Sequence, residues 1–229
     1  MIKNVKLVIS MFCVVIVLVL FVSIALADGP YFYAGTILDE AYGARGISAN
    51  IHTPVGRPVI YGYNPNGQSH WVSIMGNVWI QSGWDLYPAD TGAKKYIEYL
   101  TASGEYWLNP PYEYGTQPWD SEVEYEVNYY TSDNQWCAVI GGYVLKCKDI
   151  GLTPPVAVGA RSEVYGDSHT QIYTAFNNIL FKQPNEIWTT VHDNYFARDF
   201  PYTYLIFTNS YFITYRQTTY ETYLPLVIN

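Results

Sequence analysis

Basic residues are scarce in this chain: 12 Lys and Arg stand against 20 Asp and Glu in 229 residues. A surface of that sign repels phosphate backbones and anionic headgroups, which argues against nucleic acid and against anionic membranes as partners. Cysteine is nearly absent, with three residues and no C-x-x-C pair. The four histidines, at positions 52, 70, 169 and 192, show no i, i+4 spacing, so no metal site is expected. Helical periodicity is almost missing. Beyond residue 27 no run is apolar and long enough to cross a bilayer. No internal repeat, low-complexity tract or long Pro- or Ser-rich linker divides the chain.

The first 27 residues have three parts. Lys3 and Lys6 form a basic start, an apolar stretch runs from Leu7 to about Leu26, and Ala25-Leu26-Ala27 supplies small residues at a cleavage position. This is the pattern of a secretory signal peptide, cut after Ala27. An uncleaved anchor is the alternative, because the apolar stretch nearly suffices to span a bilayer. Residues 1–27 are thus expected to be a signal peptide and 28–229 a single domain, secreted or otherwise extracytoplasmic. Removing the signal leaves ten basic against twenty acidic residues, a net charge of −10. A domain of this size buries a substantial core without staples.

What fills the chain is short alternating runs of Tyr, Val, Ile, Thr and Trp, broken by Gly, Pro, Asn and Asp. In Glu122–Tyr129 the odd positions are apolar and the even ones polar, so one face packs and the other meets solvent. The segments Tyr96–Tyr106 and Tyr204–Tyr215 read similarly, and Thr170–Phe181 suits either a strand or a short helix. The apolar tail Tyr223–Ile228 is expected to dock as a last strand. Many strands with regular turn signals indicate an all-β, antiparallel two-sheet sandwich. Cys137 and Cys147 flank Gly141-Gly142, a spacing that fits facing positions of a hairpin. A disulfide is expected in an exported chain, with two buried thiols as the alternative. The 24 tyrosines suit half-buried strands. They would also line a groove able to hold an extended peptide or a sugar chain.

Two polar residues stand out within apolar strands: Gln81 in Trp79-Ile80-Gln81-Ser82-Gly83-Trp84, and Glu163 in Ala160-Arg161-Ser162-Glu163-Val164. A glutamate can activate water as a base and then protonate a leaving amine. A neutral amide can donate to a developing oxyanion. Asp167-Ser168-His169 is read as a loop, since three contiguous residues cannot line up as a hydrolytic triad.

The segments Trp71-Val72-Ser73-Ile74 and Ile80-Gln81-Ser82-Gly83 resemble the part of the eqolisins, the glutamic peptidases, that carries their catalytic glutamine. Tyr96-Ile97-Glu98-Tyr99 resembles the aromatic and acidic strand that follows in that family, and Ala160–Val164 the strand of the catalytic glutamate. Stretches also resemble the related neprosin peptidases: Tyr42–Ile47 leading to His52-Thr53-Pro54, Ile80–Trp84 (with glutamate in place of Gln81 in neprosins), and Phe176–Ile179 with Trp188. The resemblance implies a concanavalin-like, lectin-type jelly roll. It also implies acid-active endopeptidase chemistry with Gln81 and Glu163 as catalytic residues. Trp71, Trp84, Asp85, Tyr96 and Glu98 would line the cleft, a polypeptide would be the substrate, and no cofactor would take part; a monomer is expected. The sequence departs from the eqolisin pattern at Met75-Gly76, where the family carries Asp-Gly, and at Val164–Asp167, where it carries tryptophan and a further acid. No long propeptide follows the signal, although these peptidases are usually made as proenzymes. A non-catalytic sandwich that binds carbohydrate or a cell-envelope polymer is the second expectation on the same fold, and an adhesive structural protein the third.

Overall fold

The computed structural model describes residues 31–62, 66–110, 113–192 and 194–217. The expected signal segment and the Tyr223–Ile228 tail lie outside them. None of the described residues forms a helix long and apolar enough to cross a membrane.

Sixteen strands and one 3-10 turn, Glu40–Tyr42, make up the regular structure among these residues. The first sheet contains β1 (Tyr31–Leu38), β3 (Gly67–Met75), β4 (Trp79–Leu86), β5 (Ala93–Leu100), β6 (Tyr106–Leu108), β7 (Thr116–Gln117), β11 (Ala157–Tyr165) and β14 (Tyr195–Arg198). Its order is β14-β1-β11-β3-β4-β5-β6, with β7 also on β5. The second sheet contains β2 (Gly46–His52), β8 (Glu122–Tyr130), β9 (Gln135–Ile140), β10 (Tyr143–Lys148), β12 (Tyr173–Lys182), β13 (Trp188–Thr190), β15 (Tyr202–Thr208) and β16 (Tyr211–Arg216). Its order is β10-β9-β8-β2-β12-β16-β15, with β13 also on β12. Neighbouring strands pair antiparallel, as in β3 with β4 and β2 with β8. The fold is thus a two-sheet antiparallel sandwich, as the alternating runs imply.

The core lies between the sheets. Val72, Ile74, Ile80, Trp84, Leu86 and Ile97 from the first sheet meet Ile47, Ile51, Tyr125, Val127, Trp136 and Phe176 from the second. Within it sits a polar knot. His70 is fully buried; its Nδ1 lies 2.6 Å from Ser162 Oγ and its Nε2 3.1 Å from Gln68 Oε1. Thr174 of the second sheet reaches the same Nε2 at 3.3 Å, and Ser162 meets Thr214 at 2.5 Å. These contacts tie the two sheets together through hydrogen bonds in a dry space, where satisfied polar groups fix geometry. Burial holds the imidazole well below its usual pKa, so it is neutral.

Local chemistry explains the turns. Thr170–Phe181 resolves into β12, a strand, which its Tyr, Thr, Phe and Ile content favours. The two longer runs read from sequence are each broken. Tyr96–Tyr106 divides at a turn in which Gly104 N donates to Thr101 O at 2.9 Å, and Tyr204–Tyr215 divides at Asn209-Ser210 into β15 and β16. Gly141 and Gly142 take φ of 60° and 80°, the left-handed pair that a two-residue hairpin turn requires. The hairpin β9–β10 sets Cys137 directly opposite Cys147, and the two form a disulfide. Asp167–His169 forms a loop closed on itself, with His169 Nδ1 2.7 Å from Asp167 Oδ1.

Candidate active site

Strand alternation sorts the residues of the first sheet. On β4, Ile80, Ser82, Trp84 and Leu86 point into the core, so Gln81, Gly83 and Asp85 point away from it. Register carries that face across the sheet. One rung holds Tyr33, Glu163, Ser69, Asp85 and Lys94. The next holds Gly35, Arg161, Trp71, Gly83 and Tyr96, and the third Gly159, Ser73, Gln81 and Glu98. This face does not meet the second sheet, yet Trp71 is 4 %, Tyr96 3 % and Gln81 8 % exposed. It is therefore the floor of a cleft. Gly83 has a steric reason to lack a side chain, because a Cβ there would lie 2.0 Å from the His70 carbonyl oxygen.

Gln81 and Glu163 share this face but sit two strands and two rungs apart, and they do not hydrogen-bond each other. Each is held by its own neighbours. Gln81 Nε2 donates to Glu98 Oε2 at 2.6 Å. That leaves its second N–H and its Oε1 unengaged among the described residues. Tyr106 Oη donates to the other Glu98 oxygen at 2.5 Å. Glu163 Oε2 accepts from Trp71 Nε1 at 3.1 Å, and the hydroxyls of Tyr33 and Ser69 also donate toward the carboxylate.

Electrostatics brings the rungs together. In a flat sheet Glu98 and Glu163 would be separated by three strand spacings of about 4.8 Å and by four residues at about 3.3 Å each. Their charges nevertheless act on one another, and Tyr96 feels Glu98, Glu163 and Asp85. Tyr96, in the middle rung, is thus the side chain on which the charges of all three carboxyl groups act. Burial pushes Glu98 up to about 7, with the Glu163 charge adding to it and the Tyr106 and Gln81 hydrogen bonds opposing it. Burial pushes Asp85 to about 7 as well, opposed mainly by Lys94, whose Nζ lies 3.7 Å away. Glu163 is also raised by burial, opposed by its three donors. A buried carboxylate raised toward neutrality is a better base than a solvated one, and one fixed by three donors is well aimed.

The cleft has aromatic ends. Tyr165 packs against Tyr31 and Tyr87 with ring centroids 6.2 and 5.6 Å away, while Trp79 meets Tyr106 at 6.3 Å. Of the residues read as cleft lining, Trp71, Asp85, Tyr96 and Glu98 lie on this face. Trp84 does not: the two-residue period sends it into the core, where its ring packs tilted against His70 with centroids 4.1 Å apart. Tyr33, Ser69, Tyr106 and Arg161 also face the cleft and were not singled out from sequence. Among the described residues no group of three or more His, Cys, Asp or Glu is arranged to hold a metal ion.

No family model matches the sequence, and no curated protein does. Solved structures do. The chain superposes on scytalidoglutamic peptidase bound to a peptide-based transition-state analogue with a TM-score of 0.59, at 14% identity over 82% of this chain and 100% of that one. The fold is that of the eqolisin peptidases. A second structure of scytalidoglutamic peptidase, with a transition-state analogue inhibitor, gives 0.61 at 14% identity and the same coverage. An eqolisin-family peptidase in complex with the tripeptide Ala-Ile-His gives 0.58, again at 14% identity over 82% and 100% of the two chains. At this identity the eqolisin fold is what the likeness establishes.

Proposed function

We propose that the chain is an exported glutamic-type endopeptidase that hydrolyses peptide bonds with Gln81 and Glu163 and no covalent intermediate. The observation that carries this reading is the pairing of one fixed carboxylate with one fixed neutral amide on the same cleft face of an eqolisin fold. Glu163 takes a proton from water as the water oxygen attacks the substrate carbonyl carbon. Gln81 donates its unengaged N–H to the carbonyl oxygen as it becomes an oxyanion. Glu163 then returns the proton to the leaving nitrogen as the C–N bond breaks, which restores the carboxylate. Trp71 and Tyr33 hold Glu163 in place and Glu98 holds Gln81. Asp85 and Tyr96 complete the polar floor.

The expected signal peptide, the Cys137–Cys147 disulfide and the acidic surface support an extracytoplasmic workplace for a single domain of residues 28–229 that acts as a monomer. The test is cleavage of an unfolded protein substrate from pH 3 to 8 by the exported protein, alongside Glu163→Gln and Gln81→Ala. Cleavage lost in both folded variants supports the dyad. A folded wild-type protein that cleaves nothing at any pH overturns it and leaves a binding module on a peptidase fold.

A further inference from the structure

The sequence contains five arginines, at positions 45, 57, 161, 198 and 216. Four are anchored. Arg45 pairs with Glu186 at 2.7 Å, Arg57 donates to three backbone carbonyls, Arg198 donates to Thr203, and Arg216 donates to Ser168 O at 2.7 Å. Arg161 makes no hydrogen bond and no ion pair among the described residues. Its Nε is buried without a partner. The other cation on the cleft face, Lys94, is held by Asp90 at 3.0 Å.

The position of Arg161 makes this exception informative. It lies on β11 two residues before Glu163, on the same face, in the rung between those of Glu163 and Gln81. Gly35, its partner on β1, puts no side chain beside it. Its guanidinium rests over the Tyr33 ring with 5.7 Å to the centroid, and Tyr33 is one of the donors to Glu163. The nearby acids do not close on it: Glu163 is occupied by its own donors, and Asp199 accepts from Tyr33 N at 3.0 Å. A half-buried guanidinium whose Nε–H is buried without an acceptor is costly unless an anion completes it. The planar fork of arginine matches a carboxylate in bidentate fashion.

We infer that Arg161 is a specificity-determining residue that binds a carboxylate of the peptide substrate close to the bond that Glu163 attacks. The inference rests on the peptidase reading above. Two residues along a strand span about 6.6 Å, the same as two residues of an extended substrate. The carboxylate therefore belongs to a residue within about two positions of the scissile bond. It comes from an Asp or Glu side chain or from the free C-terminus of the chain.

The experiment compares kcat/KM for matched fluorogenic peptides, one set carrying Glu against Gln at each position flanking the cleaved bond, the other a C-terminal carboxylate against an amide. Wild type is expected to favour a carboxylate peptide by roughly tenfold or more, as a charge-assisted hydrogen bond supplies. In Arg161→Met the ratio should fall close to one, and in Arg161→Lys to an intermediate value. Preference in the Glu/Gln set assigns the carboxylate to a side chain, and preference in the second set to the chain end; either supports the role. No preference in wild type, or an unchanged ratio in a folded Arg161→Met protein, overturns it. The same peptide pairs are titrated calorimetrically into Glu163→Gln with and without Arg161→Met. If wild type cleaves nothing, this arm still decides: a carboxylate preference in binding that vanishes with Arg161 upholds the inference while the peptidase reading falls, and an equal affinity for both peptides ends it.

Discussion

Glu98→Gln is the most revealing perturbation of the cleft. Folding raises this carboxyl from 4.5 to about 7, so the folded protein holds the proton more tightly than the unfolded chain does. Its contribution to stability is therefore fully present below about pH 4.5 and is lost as pH rises to about 7. At 1.36 kcal/mol per pKa unit, keeping Glu98 ionised in the cleft costs the folded state about 3 kcal/mol above pH 8. Glutamine keeps the size and one of the two acceptor oxygens: its oxygen can accept from Gln81 Nε2 while its NH2 donates to the Tyr106 hydroxyl, and it cannot ionise. The variant should equal wild type within error at pH 4 and exceed it by about 3 kcal/mol at pH 8, a rise in Tm of about 6–12 °C for a domain of this size. Urea denaturation followed by tryptophan fluorescence at each pH unit between 4 and 8 reads the difference directly. Asp85 and His70 leave slopes of their own in both proteins, so the quantity to follow is the gap between the two curves. A gap that stays constant with pH, or that widens toward acid, refutes the burial argument.

Other perturbations probe the frame around the site. Because folding lowers the His70 pKa, its contribution to stability is present above about pH 6.5 and is lost as pH falls. His70→Leu should cost about 2–4 kcal/mol at pH 7.5, where it strands Gln68 Oε1 and leaves Ser162 only its bond to Thr214, and that cost should shrink by pH 5 in the same urea experiment. Replacing both Cys137 and Cys147 by serine, whose bridge closes a separation of 10 residues, should cost about 3 kcal/mol by the loop-entropy relation. Reduction of wild type should reproduce that loss. Gly83→Ala should destabilise by more than about 3 kcal/mol or abolish soluble expression, because the new methyl group meets the β3 backbone. A Gly83→Ala protein with wild-type Tm would contradict the close pairing of β3 and β4.

Strand content and facing were legible from the chain because a period of two needs only local residues. Gln81, Asp85 and Gly83 fall on one face whatever the sheet order is. Trp84 shows the limit of reading by neighbourhood: flanking the motif in sequence is not flanking it in space, and one step along a strand reverses the direction of a side chain. The hairpin disulfide was legible because Gly141-Gly142 lies midway between the cysteines. Tyr33 was not, since it reaches Glu163 only through a pairing that joins residues 130 positions apart. Nor was the grip of Glu98 on Gln81, which requires knowing that β5 lies beside β4 in that register. Arg161 was quoted with its strand, but nothing local distinguishes an arginine that lacks partners from one that has them.

The cleft is built from strands of the sheet interior. Gln81, Glu163, Trp71, Tyr96, Glu98 and Arg161 all sit within β3, β4, β5 and β11, and each of these strands is flanked by strands on both sides. Their amides belong to the ladder that opens only when the whole domain opens. A site of this kind cannot fray ahead of the fold. Heat should extinguish its chemistry and its structure at one temperature, and a protease attacking the loops should leave it working until the sandwich itself comes apart.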